Sequence, residues 1–207
     1  RMASNVASAD LIYDKNADIN FLEEQFYNLL ATLQFMPNSP TLMNAGRDLQ
    51  QLFACFVLPV EDSIELIFET VKQAALIHKS GGGTGFSFSR IRPRNDIVST
   101  SGGCASGPIS FMRVFNEATE AINQGGFRRG ANMAVLRVDH PDILDFISSK
   151  KVEGELRNFN ISVGITDKFM DAVEGNLDFQ LINPRVNSVA KLVNASELFE
   201  QIVRFAW

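Results

Sequence analysis

Residues 81–91 read Gly81-Gly82-Gly83-Thr84-Gly85-Phe86-Ser87-Phe88-Ser89-Arg90-Ile91, and the change of rhythm inside them decides the fold class. The glycine run reads as a tight, close-packed turn, because glycine carries no Cβ and tolerates backbone angles that other residues avoid. From Phe86 to Ile91 apolar and polar residues alternate, the period of a strand with one buried face. Before the glycines, residues 64–79 place Ile64, Ile67, Phe68, Val71, Ala75 and Leu76 on one helical face, with Asp62 or Ser63 available as the N-cap. After Ile91 a polar, glycine-containing loop over 93–107 leads to Pro108. A second helix, carried by Ile109, Met112, Val114, Phe115, Ala118 and Ile122, then runs to residue 123.

Working outward, the same alternation continues. A second glycine-rich turn, Gln124-Gly125-Gly126-Phe127-Arg128-Arg129-Gly130-Ala131-Asn132, feeds a strand over 133–138, then a helix over 142–149. Strands are expected over 160–165 and 178–182 around a helix over 167–173, and the chain ends within a helical pattern from Ser196. Upstream, Ile19, Leu22, Phe26, Leu29, Leu30 and Leu33 make an amphipathic helix over 18–34, ending before Pro37, and a loop rich in Pro, Asn and Ser follows. The short apolar run over 52–60 has strand length and places Cys55 on a buried strand. Alternating strands and helices define the class as α/β. No internal repeat breaks the chain into units, so it reads as a fragment of one domain, with a helical lead-in over about 1–36 and the α/β part over 37–207. Arg1 precedes Met2 and no Gly or Pro closes the last helix, so a longer coding region is expected at both ends.

Composition narrows the function. A length of 207 residues with 45% hydrophobic content is enough for a real core. A charged fraction of 21% and a net charge of -5 give no basic field for nucleic-acid phosphates, so a nucleic-acid partner is not expected. No apolar run reaches the roughly 18 to 20 residues that cross a bilayer, and the start lacks a signal-peptide pattern, so no membrane association is expected and the protein reads as cytoplasmic. Two cysteines, Cys55 and Cys104, are too few for a disulfide scaffold and lack metal spacing, so no metal site is expected.

Each motif has a plain reading beside a functional one. Gly81 to Gly85 lacks the Lys-Ser/Thr that ends a P-loop. The loop 124–132 combines glycines, two guanidinium groups and amide side chains able to read a base edge, or is a solvated basic loop. Asp62 is a helix cap or an acceptor for a ribose hydroxyl. Arg90, Arg92 and Arg94 alternate along a strand end, sharing one face that can meet a polyphosphate or simply water. A thiol on an apolar strand, as at Cys55, is ordinarily an inert packing group. His78 and His140 have no partner at catalytic spacing and read as structural.

Taken in order, five segments resemble one family: Pro37-Asn38-Ser39-Pro40-Thr41-Leu42-Met43-Asn44-Ala45-Gly46, Ala54-Cys55-Phe56-Val57-Leu58-Pro59-Val60-Glu61-Asp62-Ser63, Gly81-Gly82-Gly83-Thr84-Gly85-Phe86, Arg90-Ile91-Arg92-Pro93, and Gln124 through Met133. The wording is similar to the adenosylcobalamin-dependent, class II, ribonucleotide reductases, from about Phe21 to Val173. That resemblance implies a ten-stranded α/β barrel of two half-sheets, of which this chain supplies the first half, with the helices over 64–79 and 108–123 in a dimer and effector-binding bundle. It implies radical 2'-deoxygenation of a ribonucleotide, with a cysteine pair supplying electrons, adenosylcobalamin as cofactor and a thioredoxin-like protein or dithiol as reductant.

Residue by residue, the resemblance makes Cys55 one half of the reducing pair and puts Ser39, Thr41 and Ala54 at the substrate. Asp62, Ser63 and Arg92 match positions that hold a deoxynucleotide effector. Residues 93–107 correspond to a first specificity loop, and 124–132, with Gln124, Arg128 and Arg129, to a second. Cys104 has no counterpart. The radical cysteine and the partner of Cys55 are expected outside this chain, so the fragment alone is expected to be inactive. Two alternatives stay open: a class I reductase large subunit fed by a metal-containing partner, or a nucleotide-binding or dimerisation module without catalysis.

Overall fold

The computed structural model describes residues 1–98, 102–122, 130–152 and 154–206. Its contacts divide the chain into two compact units, Arg1–Cys55 and Phe56–Trp207.

The first unit is helical. α1 (Met2–Ala7) runs into a 3-10 turn over Ser8–Ile12, and α2 (Ile19–Ala31) starts where the Asp18 carboxylate accepts a hydrogen bond from Phe21 N at 3.1 Å. Ile19, Leu22, Glu23, Phe26 and Leu30 are its half-buried positions, close to the expected face, although Leu29 is exposed and no residue of this helix is fully buried. The segment expected to be a loop instead forms α3 (Ser39–Asn44). Asn38 caps it by accepting from Thr41 N at 2.9 Å, and Pro40 sits in the first turn, where its missing N–H costs nothing.

The second unit is built on a four-stranded sheet. β1 (Cys55–Pro59) leads to α4 (Ile64–Lys79), capped by Ser63, and then to β2 (Gly83–Ser87). A short antiparallel hairpin, β3 (Ile97–Val98) and β4 (Gly103–Cys104), precedes α5 (Pro108–Ile122). β5 (Asn132–Arg137), α6 (Ile143–Ser148) and β6 (Phe159–Gly164) follow. The unit ends with α7 (Asp167–Glu174), the antiparallel hairpin β7 (Asp178–Asn183) and β8 (Ser188–Asn194), and α8 (Ala195–Ala206). The sheet order is β1-β2-β5-β6, with β2, β5 and β6 parallel, which is why a helix intervenes between each pair.

The strand expected over 86–91 lies further upstream, and Gly83 and Gly85 are part of it. Thr84 pairs with Asn132 and Phe86 with Ala134 in the parallel ladder, while Ser89 and Arg90 already form a turn. A Cβ on Gly82 would sit 2.6 Å from Ile77 Cγ2 and 2.9 Å from Phe56 Cε2, so close packing of α4 and β1 demands glycine there. Phe86 and Phe88 are buried as their alternation implies. They cluster with Phe115 of α5 and Phe159 of β6, the Phe86 and Phe115 ring centroids lying 4.6 Å apart.

The buried stripe of α4 is Ile67, Thr70, Ala74 and His78, rotated from the expected face. Ile64, Phe68 and Leu76 are exposed, because this helix is apolar on more than one side.

Candidate functional site

The second unit contains a cleft of about 450 Å³ at the start of α4, lined by Asp62, Ser63, Ile64, Arg92, Cys104 and Phe111, among others. Ser63 is the residue that caps α4, accepting from Leu66 N at 3.5 Å. Its hydroxyl also donates to Glu65 at 2.6 Å, which lowers the Glu65 pKa. Asp62 is therefore free of capping and does something else. Its Oδ2 accepts from Arg92 Nε at 2.8 Å and its Oδ1 from the Arg92 backbone N–H at 3.2 Å. Three residues picked from the sequence thus meet at one wall of one cleft.

The three arginines do not share a face. Arg90 pairs with Glu61, Arg92 with Asp62, and Arg94 presents its backbone N–H to Asp142 Oδ2 at 2.8 Å. The expected common face depended on a strand through Arg90, and the strand ends at Ser87. The segment instead turns at Arg90 and again at Arg94.

The region beyond Arg92 is tied down from several sides. Asp96 accepts two hydrogen bonds from the Arg185 guanidinium, each 2.8 Å, and one from Asn183 Nδ2 at 3.1 Å. The guanidinium holds its carboxyl well below the usual carboxylate range. Gly107, at φ +78°, closes the loop into α5. A Cβ there would stand 2.7 Å from Asp142 Oδ2. His140 Nδ1 accepts from Asp142 N at 3.0 Å, so Nε2 carries the proton donated to Ile91 O at 2.9 Å. Burial pushes the His140 pKa down and the Asp142 pKa up, each disfavouring its charged form.

Cys55 opens β1 as expected, but it is exposed rather than buried. Along β1 every second residue, Cys55, Val57 and Pro59, is exposed, so one face of this apolar strand lacks cover in this chain. In the first unit, Thr41 Oγ1 lies 2.7 Å from Asn38 Oδ1 and 3.0 Å from Leu52 O. Thr41 also borders a largely apolar cleft of about 540 Å³ with Phe26, Leu30 and Phe53. Ser39 is exposed and Ala54 half-buried. Gln124, Arg128 and Arg129 lie outside the described residues.

Cys104, set aside in the sequence, lines the Asp62 cleft through the β3–β4 hairpin. Two-residue strands leave almost no sequence signal. No group of three or more His, Cys, Asp or Glu side chains able to hold a metal occurs among the described residues, and none of the described helices is long and apolar enough to cross a membrane.

Comparison with known proteins agrees with this architecture. The family described as "Ribonucleotide reductase, barrel domain" matches residues 53–206, and "Ribonucleotide reductase, all-alpha domain" matches residues 1–50. The "Vitamin B12-dependent ribonucleoside-diphosphate reductase" of Thermoplasma acidophilum is 54% identical over 96% of this chain and 26% of its own length. The protein of that name from Mycobacterium tuberculosis strain H37Rv is 49% identical over the whole chain and 29% of its own length. The "Ribonucleoside-diphosphate reductase large subunit" of vaccinia virus is 40% identical over 76% of the chain. The chain thus spans under a third of the length of these vitamin B12-dependent relatives. With both family descriptions covering it almost end to end, the chain belongs to the ribonucleotide reductase family.

Proposed function

We propose that the complete protein is an adenosylcobalamin-dependent ribonucleotide reductase, with ribonucleoside diphosphates as its first substrates. The observation that carries this reading is the Asp62–Arg92 pair at the mouth of a nucleotide-sized cleft, in a chain whose relatives at 49–54% identity carry vitamin B12-dependent names. The viral large subunit is less similar, at 40%, which places the class I alternative second.

In this reading the four-stranded sheet is part of the first half of a ten-stranded barrel. The Asp62 carboxylate accepts a ribose hydroxyl of a deoxynucleotide effector, with Ser63 beside it, and Arg92 takes its phosphates. Residues 93–107 and 124–132 are the first and second specificity loops, Gln124, Arg128 and Arg129 relaying the effector to the substrate base. Ser39, Thr41 and Ala54 hold substrate. Cys55 and a second cysteine elsewhere in the protein give up two electrons and two protons as a disulfide forms, while the 2' hydroxyl leaves as water. A thioredoxin-like protein or dithiol restores the thiols, and the exposure of Cys55 suits that exchange. The exposed apolar residues Ile64, Phe68 and Leu76 of α4 form a homodimer contact. The enzyme acts in the cytoplasm.

The described histidines do not suit a cobalt ligand. His78 and His140 are both buried with both ring nitrogens already engaged by protein atoms. The cobalamin, which supplies the radical chemistry, is held by other residues.

The test is turnover by the full-length protein with adenosylcobalamin, a dithiol and each ribonucleotide. Deoxynucleotide formation is expected, and its absence in the presence of bound cofactor overturns the reading.

A further inference from the structure

One buried polar cluster has no part in the sites above. His78, in the last turn of α4, places Nδ1 3.0 Å from the Gly82 carbonyl oxygen. That oxygen can only accept, so Nδ1 carries a proton and donates. Nε2 lies 3.0 Å from Asn132 Oδ1 and 3.1 Å from Thr84 Oγ1, and the Thr84 hydroxyl also reaches Asn132 Oδ1 at 2.7 Å. The Asn132 amide nitrogen donates to Thr119 Oγ1 at 2.8 Å, and Thr119 donates onward to Phe115 O at 2.7 Å. His78, Thr84, Thr119 and Asn132 are all at most 5% exposed. The cluster therefore joins the end of α4, the start of β2, the last turns of α5 and the first residue of β5.

Gly130 passes through the same knot. A Cβ at this position would stand 2.9 Å from His78 Nδ1 and 2.9 Å from Thr119 Cγ2, so the backbone runs against both side chains with no space for another residue type. Thr119 lies a few residues before the segment 123–129 and Gly130 directly after it. Thr119 and Gly130, the described residues on either side of it, thus both lie against the His78 cluster.

We infer that His78 is a positioning residue for substrate selection, acting through Asn132 and Thr119 on the loop that carries Arg128 and Arg129. This inference rests on the proposed role of residues 124–132 as a specificity loop. An apolar side chain in place of His78 would fill the volume but give no direction. Directional bonds between these buried groups hold the Asn132 side chain in place, because moving it away leaves buried donors and acceptors unpaired. The start of β5 is thereby set relative to the end of α5.

The experiment uses the full-length enzyme and reads the ratio of turnover among the ribonucleotides under each deoxynucleotide effector. Its variants are His78→Phe, Thr119→Val, Thr119→Ser and Arg128→Ala, each with a thermal unfolding curve. We expect His78→Phe and Thr119→Val to shift the ratios by roughly threefold to tenfold, the scale of one hydrogen bond, and Thr119→Ser, which keeps the hydroxyl, to restore the parent ratios. Thr119→Val is nearly isosteric and decides the matter if His78→Phe does not fold. Ratios unchanged in Thr119→Val while Arg128→Ala moves them overturn the positioning role alone. Ratios unchanged in Arg128→Ala as well overturn the specificity-loop reading along with it. Uniform loss of turnover, with ratios kept, identifies the cluster as scaffold and overturns the inference.

Discussion

Asp62 receives Arg92 twice, through Nε at 2.8 Å and through the backbone N–H at 3.2 Å, one bond to each carboxylate oxygen. The side chains are 24% and 22% exposed, so the pair is partly shielded from water while still bordering the cleft. Each carboxylate oxygen retains a lone pair for a ligand hydroxyl.

Asp62→Asn keeps the shape and removes the charge. A charge-assisted bond is worth about 1.5–3 kcal/mol, so deoxynucleotide affinity in the full-length enzyme should fall roughly tenfold to a hundredfold. Equilibrium binding of each deoxynucleotide measures it. Undiminished affinity would remove Asp62 from the effector site and leave the pair as a loop fastener.

The Asp96–Arg185 contact gives a prediction in pH. Its guanidinium partner depresses the folded-state pKa of Asp96, so the carboxylate stays ionised in the fold after it has been protonated in the unfolded chain. The contribution is fully present above the ordinary aspartate value of about 3.9 and is lost as pH falls through that value toward the folded one. Asp96→Asn should therefore lower stability at neutral pH and flatten the loss of stability below about pH 4. Chemical denaturation across acid pH checks this; parallel curves for parent and variant would refute it.

Much of the fold was legible because period and burial agree. The stretch after Gly85 alternates, and Phe86 and Phe88 are indeed buried; Pro108 begins a helix as its fixed φ allows. The misreadings share a cause. Cys55 lies in an apolar run, but apolar composition does not say which faces of a strand are covered, and Cys55 falls on the exposed one. On α4, apolar residues occupy more than one face, so the face read from the sequence is not the one that is buried, and it is Thr70 and His78 that point inward beside Ile67 and Ala74. Asp62 and Ser63 could each cap that helix, and only their positions separate them: Ser63 caps and Asp62 holds Arg92. The His78 cluster draws on residues up to 54 positions apart, which no local pattern carries.

The aromatic core provides a stability test independent of chemistry. Phe115 is 1% exposed, with its ring centroid 4.6 Å from that of Phe86 and 5.6 Å from that of Phe88. Phe115→Ala removes those contacts and leaves a cavity, costing about 3–5 kcal/mol. Phe115→Leu should cost less. A lower denaturation midpoint at unchanged slope is the expected result. A near-neutral Phe115→Ala would mean that α5 does not pack on β2 as described.

The sharpest division between readings falls on Cys55. Cys55 is exposed in this chain, so Cys55→Ser, which keeps the volume, should change the stability of the chain itself by no more than about 0.5 kcal/mol. If the thiol has no chemistry, turnover should also be kept. If it is half of the reducing pair, the variant has no sulfur with which to close a disulfide, and the two electrons for each 2' deoxygenation are no longer delivered. Dithiol-driven multiple turnover by the full-length enzyme should then stop, while substrate and effector still bind and the unfolding curve hardly moves. Cys55→Ala should behave the same way, since what matters is the lost sulfur and not the new hydroxyl. The combination of retained binding, retained stability and lost turnover is what a purely structural cysteine cannot produce. Sustained dithiol-driven turnover in either variant would refute the assignment and detach β1 from the active site.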